Sequence, residues 1–252
     1  MHQSCNLMNS EPFFIGWESK SAPSLGAFLK RLTTLGLIAA VVLAGLLAAS
    51  QQTVSSSGRF DYGNVEMFSG ILVKDPVPML MGDDGAIHYL VAPLKYGFPG
   101  ELASSMHLHQ VEFQGTFIGD ELDTMIEVLP ETVRSLGIGN GTQQITSGEG
   151  TAATLQGEIV DSKCHLGVMN PGRFKPHRAC AIQCLAGGIP PILVMQDGEG
   201  TLAHVLLVAA DGTALNEAIL DYVAEPVELS GRLEMIGDRQ VLFADIASLR
   251  RL

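Results

Sequence analysis

Hydrophobic positions dominate one run near the N-terminus that contains almost no polar residue, whereas much of the remaining chain alternates apolar and polar residues. The run, Leu32–Ala49, contains no charged residue. As a helix, these 18 residues would span about 27 Å, close to the hydrocarbon thickness of a bilayer. We therefore predict a transmembrane anchor at residues 32–50, preceded by an N-terminal segment at residues 1–31.

The charges on either side of the run predict its orientation. Lys20, Lys30 and Arg31 lie just before it, and the first basic residue after it is Arg59. Because basic residues stay on the cytoplasmic side, we expect the N-terminus in the cytoplasm and the remainder outside a bacterial inner membrane, in the periplasm. The small residues at 48–50 would also suit a signal-peptide cleavage site, and cleavage remains the alternative.

Beyond the anchor, the chain contains two copies of one pattern. In each copy, a strand that begins with glycine is followed by Val-Glu-apolar-x-Gly, then by Gly-Asp, and then by a second alternating strand. The first copy consists of Gly70, Val111–Gly115, Gly119-Asp120 and Thr124–Val128. The second consists of Gly157, Val227–Gly231, Gly237-Asp238 and Gln240–Ala244. The second part of this pattern predicts a β-hairpin with a glycine-containing turn. Residues 58–136 and 155–252 are therefore predicted to be two similar units, joined by a Gly/Ser/Thr-rich linker at 137–154.

Each unit is predicted to be a five-stranded, mostly antiparallel barrel. The strands are expected near 65–74, 77–81, 87–92, 110–118 and 122–128, and again near 155–161, 191–196, 202–209, 226–236 and 240–247. A helix fits residues 215–223, between the third and fourth strands of the second unit. This order is that of an OB-fold, so the predicted class is mostly β: a transmembrane helix followed by two OB-like barrels.

The second unit carries an insertion. From strand glycine to hairpin glycine there are 45 residues in the first unit and 74 in the second, a difference of 29. The Cys/His-rich segment 164–188 accounts for this difference, and we place it between the first two strands. Loops on a rigid scaffold are where functional residues are commonly found, so this segment is the candidate site.

Helical geometry brings the cysteines of the insertion to one side. A helix is expected from Pro176 to Gly187, and His177, Cys180 and Cys184 fall within an arc of about 60° on it. Cys164, at the end of the preceding strand, can close the group. Three thiols and one imidazole form the ligand set of a tetrahedral structural zinc site, and the soft thiolates would also accept copper(I).

Two other interpretations of the cysteines stay open. Cys164 could form a disulfide with Cys180 or Cys184 in an oxidising compartment, leaving one free thiol, or the cysteines could simply pack in the core. His165 is expected to be a solvated loop residue, because neighbours on a strand face opposite ways. The sequence 120–123, Asp-Glu-Leu-Asp, is expected to be a solvated turn.

The motif around the cysteines resembles one known group of proteins. Asp161-Ser-Lys-Cys164, His177-Arg-x-Cys180-Ala, Cys184 and Gly187-Gly-Ile-Pro-Pro191 are similar to a signature in a family of membrane-anchored, exported bacterial proteins whose activity is not established. The resemblance implies that the three cysteines and His177 belong to one motif, with His165 outside it. It also implies an association with membrane or periplasmic redox enzymes.

The composition restricts the classes of molecule that the protein can be expected to bind. A formal charge of −12 would repel a polyanion, so no nucleic-acid partner is expected. We expect a non-catalytic, membrane-anchored accessory protein that docks on a partner in a membrane or redox complex and carries a structural Cys3His metal site. The alternatives are a thiol-redox or copper-handling maturation factor, and an OB-type ligand-binding module.

Overall fold

The computed structural model describes residues 22–50, 58–82, 85–139, 150–198 and 202–252. Its first element is the helix α1, Pro23–Ser50, which is long and apolar enough to cross a membrane, with a mean hydropathy of 2.4 over its best 18-residue window. A signal sequence would share these properties. The helix begins nine residues before the predicted anchor, and most of segment 1–31 lies outside the described residues. Helix α1 and the chain from Val54 onward are separate units.

The first barrel is built from strands that agree with the alternating pattern. The elements are β1 (Arg59–Phe60), β2 (Glu66–Val73), β3 (Met79–Gly82), β4 (Ile87–Val91), α2 (Gly100–Ser105), β5 (His109–Gly119), β6 (Thr124–Val128), a 3-10 turn at Pro130–Thr132 and β7 (Arg134–Ile138). Antiparallel pairing joins β2 to β3, β3 to β4, β6 to β5 and β5 back to β2, while β4 and β6 are parallel. The five strands therefore close in the order β2-β3-β4-β6-β5.

The second barrel repeats this topology. Its elements are β8 (Thr151–Asp161), α3 (Arg178–Ala186), β9 (Pro191–Gln196), β10 (Leu202–Ala209), a 3-10 helix at Asn216–Tyr222, β11 (Pro226–Ile236) and β12 (Arg239–Arg251). The strands form a closed barrel in the order β8-β9-β10-β12-β11, with β10 and β12 parallel. The predicted class, a mostly β chain with two OB-like barrels, is confirmed. The helix expected at 215–223 is a 3-10 helix, not an α-helix.

The barrels share part of their core. Ile118 and Met125 from the first barrel lie in the same buried cluster as Val194 and Leu206 from the second. Burial of apolar side chains from both barrels in one cluster holds them together through the hydrophobic effect. Of the linker predicted at 137–154, residues 140–149 lie outside the described residues; strand β7 ends at Ile138, and β8 begins at Thr151.

The Cys/His segment connects β8 to β9 as an insertion. It begins with a short irregular helical turn at Cys164–Val168, passes through a 3-10 turn at Lys175–His177, and continues as α3. Helix α3 is rich in alanine and other good helix formers, and it ends at Gly187-Gly188, where Gly188 has a positive φ of 93°. The helical insertion expected between the first two strands is thus present.

Candidate metal centre

Three thiols converge at the start of α3. Cys164 lies in the turn after β8, whereas Cys180 and Cys184 are one turn apart on the helix. Their sulfur atoms all lie within 4.8 Å of one another, and the Sγ atoms of Cys164 and Cys184 are 4.0 Å apart. Cys164 and Cys184 are buried and Cys180 is half-buried. The cluster could hold a metal ion.

The sulfur spacing suits a shared metal ligand set. All three cysteines are free thiols. At a metal–sulfur distance of about 2.3 Å, two thiolates on one ion are about 3.8 Å apart in tetrahedral geometry and about 4.0 Å in trigonal geometry. A disulfide would bring the two sulfurs to about 2.05 Å. The 4.0 Å between Cys164 and Cys184 therefore matches ligands of a common ion.

A lysine from the first barrel places a positive charge beside the sulfur atoms of this cluster. The ammonium of Lys95 donates to Cys180 Sγ at 2.8 Å and to Cys184 Sγ at 3.7 Å. The hydrogen bond with Cys164, supported by the charge of Lys95, lowers the pKa of the Cys184 thiol to about 7. The hydrogen bond to Cys184 and burial raise the pKa of Cys164. The hydrogen bond to Cys180 also raises the pKa of Lys95. Cys184 thus ionises before Cys164.

Buried contacts fix the loop that carries Lys95. Lys163, next to the first cysteine, is buried; its ammonium donates to the carbonyls of Ala92 and Leu94 at 2.9 and 2.8 Å and pairs with Glu127 at 2.5 Å. Leu94 has a φ of 63°, a strained conformation for a residue with a side chain. The surrounding hydrogen bonds maintain this conformation, and the strain lies beside the cluster.

Close backbone contact seals the same junction. The amide of Gly97 donates to the Gly187 carbonyl at 2.9 Å. A Cβ on Gly187 would lie 1.8 Å from the Lys95 carbonyl oxygen, and one on Gly97 would lie 2.2 Å from the Gly188 carbonyl oxygen. Only glycine allows the two backbones to approach so closely. The loop at 92–97 and the end of α3 therefore form one surface.

The thiols line a cleft rather than a sealed interior. The cleft has a volume of about 670 Å³ and includes Lys95, Lys163 and all three cysteines. Leu94, Tyr96 and Met169 also line it and are 78%, 60% and 43% exposed. A molecule at the surface can therefore approach the cluster past an apolar rim.

His177, the fourth residue of the predicted ligand set, belongs to a neighbouring group. Its Nε2 lies 2.9 Å from Asp161 Oδ2, and together with Asp161 and Cys164 it forms a second group that could hold a metal ion. Asp161 Oδ1 also accepts a hydrogen bond from the Cys164 amide at 2.8 Å. The predicted Cys3His set thus divides into two overlapping groups that share Cys164.

His165 does not occupy the expected position. It is 6% exposed, and its Nε2 lies 3.0 Å from Nε2 of His204. The prediction that His165 is a solvated loop residue was therefore wrong. The strand argument failed because β8 ends at Asp161 and His165 lies in a helical turn. Burial and the neighbouring imidazole lower its pKa to about 3.

Sequence reasoning also missed the buried polar residues around His204, the partner of His165. Asp123, expected in a solvated turn, is 5% exposed and pairs with Arg239 at 2.7 Å and with His204 at 2.9 Å. His204 lies on β10, within an alternating run that predicts a strand but no site. The long-range contacts that bury these groups join β10 to the β5–β6 turn, and no local spacing in the sequence encodes them.

Comparison with protein-family models, with curated proteins and with solved structures gives no match. The family resemblance inferred from the cysteine motif therefore stays a prediction. What can be stated of the site comes from its geometry: a three-cysteine cluster and nearby His/Asp groups that could hold metal ions.

Proposed function

We propose that the protein is a membrane-anchored accessory protein that holds one thiophilic metal ion, copper(I), on Cys164, Cys180 and Cys184. The ion would remain accessible to a protein partner in a membrane or redox complex. The single observation that carries this proposal is the convergence of three thiols in a cleft open to the surface.

The donor set favours copper(I) over zinc. Structural zinc sites are closed by four ligands, whereas the described three-thiol group contains no histidine, and His177 is bonded to Asp161. Soft sulfur ligands suit copper(I), and Met169 adds a thioether to the wall of the cleft. A three-coordinate ion would leave one side open toward the rim.

Lys95 supports metal exchange rather than permanent burial. Its ammonium lies against two of the sulfurs and favours their thiolate forms, which are the forms that bind metal. The side chain is attached through a loop of the first barrel, so an incoming ion can displace the ammonium without unfolding α3. The exposed Leu94 and Tyr96 beside it offer an apolar surface for a partner.

The N-terminal helix supports a proposal for the location of the protein. We propose that α1 anchors the chain in the inner membrane with its N-terminus in the cytoplasm, which places both barrels in the periplasm. Protease treatment of spheroplasts should digest the barrels of an anchored chain, while intact cells protect them. Recovery of the barrels as a soluble periplasmic fragment would instead mean that the helix is a cleaved signal peptide.

The metal proposal is tested by anaerobic titration of the full-length protein in detergent with copper(I) against a chromophoric chelator. We expect one copper(I) per chain, protection of the thiols from alkylation, and loss of binding when all three cysteines become serine. His177→Gln should bind copper(I) as the wild type does. If zinc binds instead and His177→Gln abolishes it, the site is the closed Cys3His centre. A chain that binds neither ion and carries a disulfide would support thiol exchange.

A further inference from the structure

We propose a second metal site, for a borderline divalent ion such as zinc(II), formed by Asp120, His165 and His204. These three side chains offer two imidazole nitrogens and one carboxylate oxygen, all within 4.8 Å of one another. The proposal is independent of the thiol cluster, since the two ligand sets have no residue in common.

The ligands come from three separate parts of the fold. Asp120 belongs to the turn between β5 and β6 of the first barrel, His204 to β10 of the second, and His165 to the insertion. Both histidines are buried, at 6% and 8% exposure. An ion at this position would therefore cross-link the two barrels and the start of the cysteine segment.

The tautomer of His204 leaves a lone pair at the site. Its Nδ1 lies 2.9 Å from Asp123 Oδ2, and Asp123 is in turn paired with Arg239 at 2.7 Å. An ionised carboxylate only accepts, so Nδ1 donates, and in the neutral imidazole Nε2 then carries the lone pair. A carboxylate that orients a histidine through its second nitrogen is the usual support for a metal ligand.

Arg239 fixes this supporting carboxylate. Its guanidinium also donates to the carbonyls of Ile87 and Leu122, at 2.6 Å each, and both Arg239 and Asp123 are nearly fully buried. The orientation of Asp123, and through it of His204, is therefore set by a buried network that joins Arg239 of the second barrel to groups of the first barrel.

The geometry needs only small adjustments to accept an ion. Nε2 of His165 and His204 are 3.0 Å apart, and Asp120 Oδ2 is 3.9 Å from His204 Nε2. Ligands on a tetrahedral zinc ion, with bonds of about 2.0–2.1 Å, are about 3.3 Å apart. Asp120 Oδ1 accepts from the amides of Leu122 and Asp123, which leaves Oδ2 to face the imidazole. Two histidines and one carboxylate suit zinc(II), and cobalt(II) can report on the same site.

The charges facing the site favour a cation. Asp120, Asp123 and Asp161 provide three carboxylates, and Arg173 and Arg239 provide two positive charges, so the surroundings of the two imidazoles carry a net negative charge. A divalent ion would replace the contact between the two imidazoles and bind both nitrogens and the carboxylate at once.

The test uses full-length protein in detergent with Cys164, Cys180 and Cys184 changed to serine, so that the three-thiol cluster is removed and the second site is kept. We expect one cobalt(II) per chain with ligand-field absorption and no thiolate charge-transfer band, displaced by zinc(II). Asp123→Asn should weaken cobalt(II) binding about 10- to 100-fold by removing the support of His204.

A matched pair of variants separates ligation from folding. Asp120→Asn keeps the Oδ1 hydrogen bonds of its turn but loses the carboxylate, and we expect at least a tenfold loss of affinity. Asp211→Asn changes a similar turn, in which Oδ1 accepts from Thr213, and should bind cobalt(II) normally. If the triple serine protein does not fold, a second cobalt(II) in the wild type, without charge transfer, provides the same readout. No cobalt(II) at this site, or equal affinity in both aspartate variants, would overturn the proposal.

Discussion

Replacing Lys163 by methionine tests how the loop that carries Lys95 is held against the cysteine segment. The lysine is 2% exposed, and its ammonium makes two carbonyl hydrogen bonds and one ion pair across the junction between the barrels. Methionine has a similar length and keeps the apolar stem packed, so the substitution removes the charge and its three contacts with little change of volume.

The expected loss of unfolding free energy is about 3 kcal/mol. Removing one partner of a buried ion pair costs about 3–5 kcal/mol, and a hydrogen bond from a charged group contributes about 1.5–3 kcal/mol. Glu127 keeps 19% of its side chain exposed, so water can solvate its carboxylate after the substitution. We therefore expect a loss at the lower end of the range for breaking a buried ion pair.

The measurement is urea denaturation of the full-length protein in detergent, followed by far-UV circular dichroism. Lys74→Met is the matched control, because Lys74 pairs with Asp75 on the surface, where the side chains are 40% and 67% exposed. It should change stability by less than about 0.5 kcal/mol. Adding Glu127→Gln to Lys163→Met should recover about 1 kcal/mol, since it removes the unpaired charge. A Lys163→Met protein within 1 kcal/mol of the wild type would refute this reasoning.

Three further predictions concern the same region. Gly187→Ala should cost about 1–3 kcal/mol in the same assay because of its clash with the Lys95 carbonyl, whereas Gly198→Ala, with open space around it, should not. In the metal-free protein, alkylation of Cys184 should reach half its maximal rate near pH 7, and Lys95→Gln should move that midpoint upward; an unchanged midpoint would contradict the role of the ammonium. The pKa of His165 is about 3 in the folded protein and about 6.5 in the unfolded chain. The unfolding free energy of the metal-free protein should therefore fall by at most about 1.4 kcal/mol per pH unit as the pH drops from 6.5 toward 3. In urea denaturation, the midpoint should depend less steeply on pH for His165→Gln than for the wild type.

The sequence predicted the barrels well because their signals are local. The alternation of apolar residues and the glycine turns placed most strands within a few residues of their observed bounds, and the repeat predicted a common topology. Cys180 and Cys184 could also be placed together, since a four-residue spacing fixes their directions on one helix. The sequence does not fix the distance from Cys164 to the helix. Its position at the end of the strand before the insertion was nevertheless enough to suggest that it closes the group.

The polar network could not be predicted in the same way. Lys95, Asp123 and Lys163 are ordinary charged residues in sequence, and their roles arise from contacts made about 70 to 120 residues away along the chain. A solvated turn is the reasonable expectation for Asp123, because aspartate is seldom buried without a partner. Its partner, Arg239, begins the last strand of the second barrel and has no sequence feature that links it to Asp123.

The close approach of Gly97 and Gly187 has a consequence for how the repeat has specialised. The first barrel contains no cysteine among its described residues, yet it supplies the ammonium beside the thiols and the carboxylates beside the histidines. It is therefore not a spare copy of the second barrel but a contributor to both candidate metal sites. Neither barrel alone would hold the complete set of ligands and counter-charges, so both barrels should be needed together for metal binding at either site.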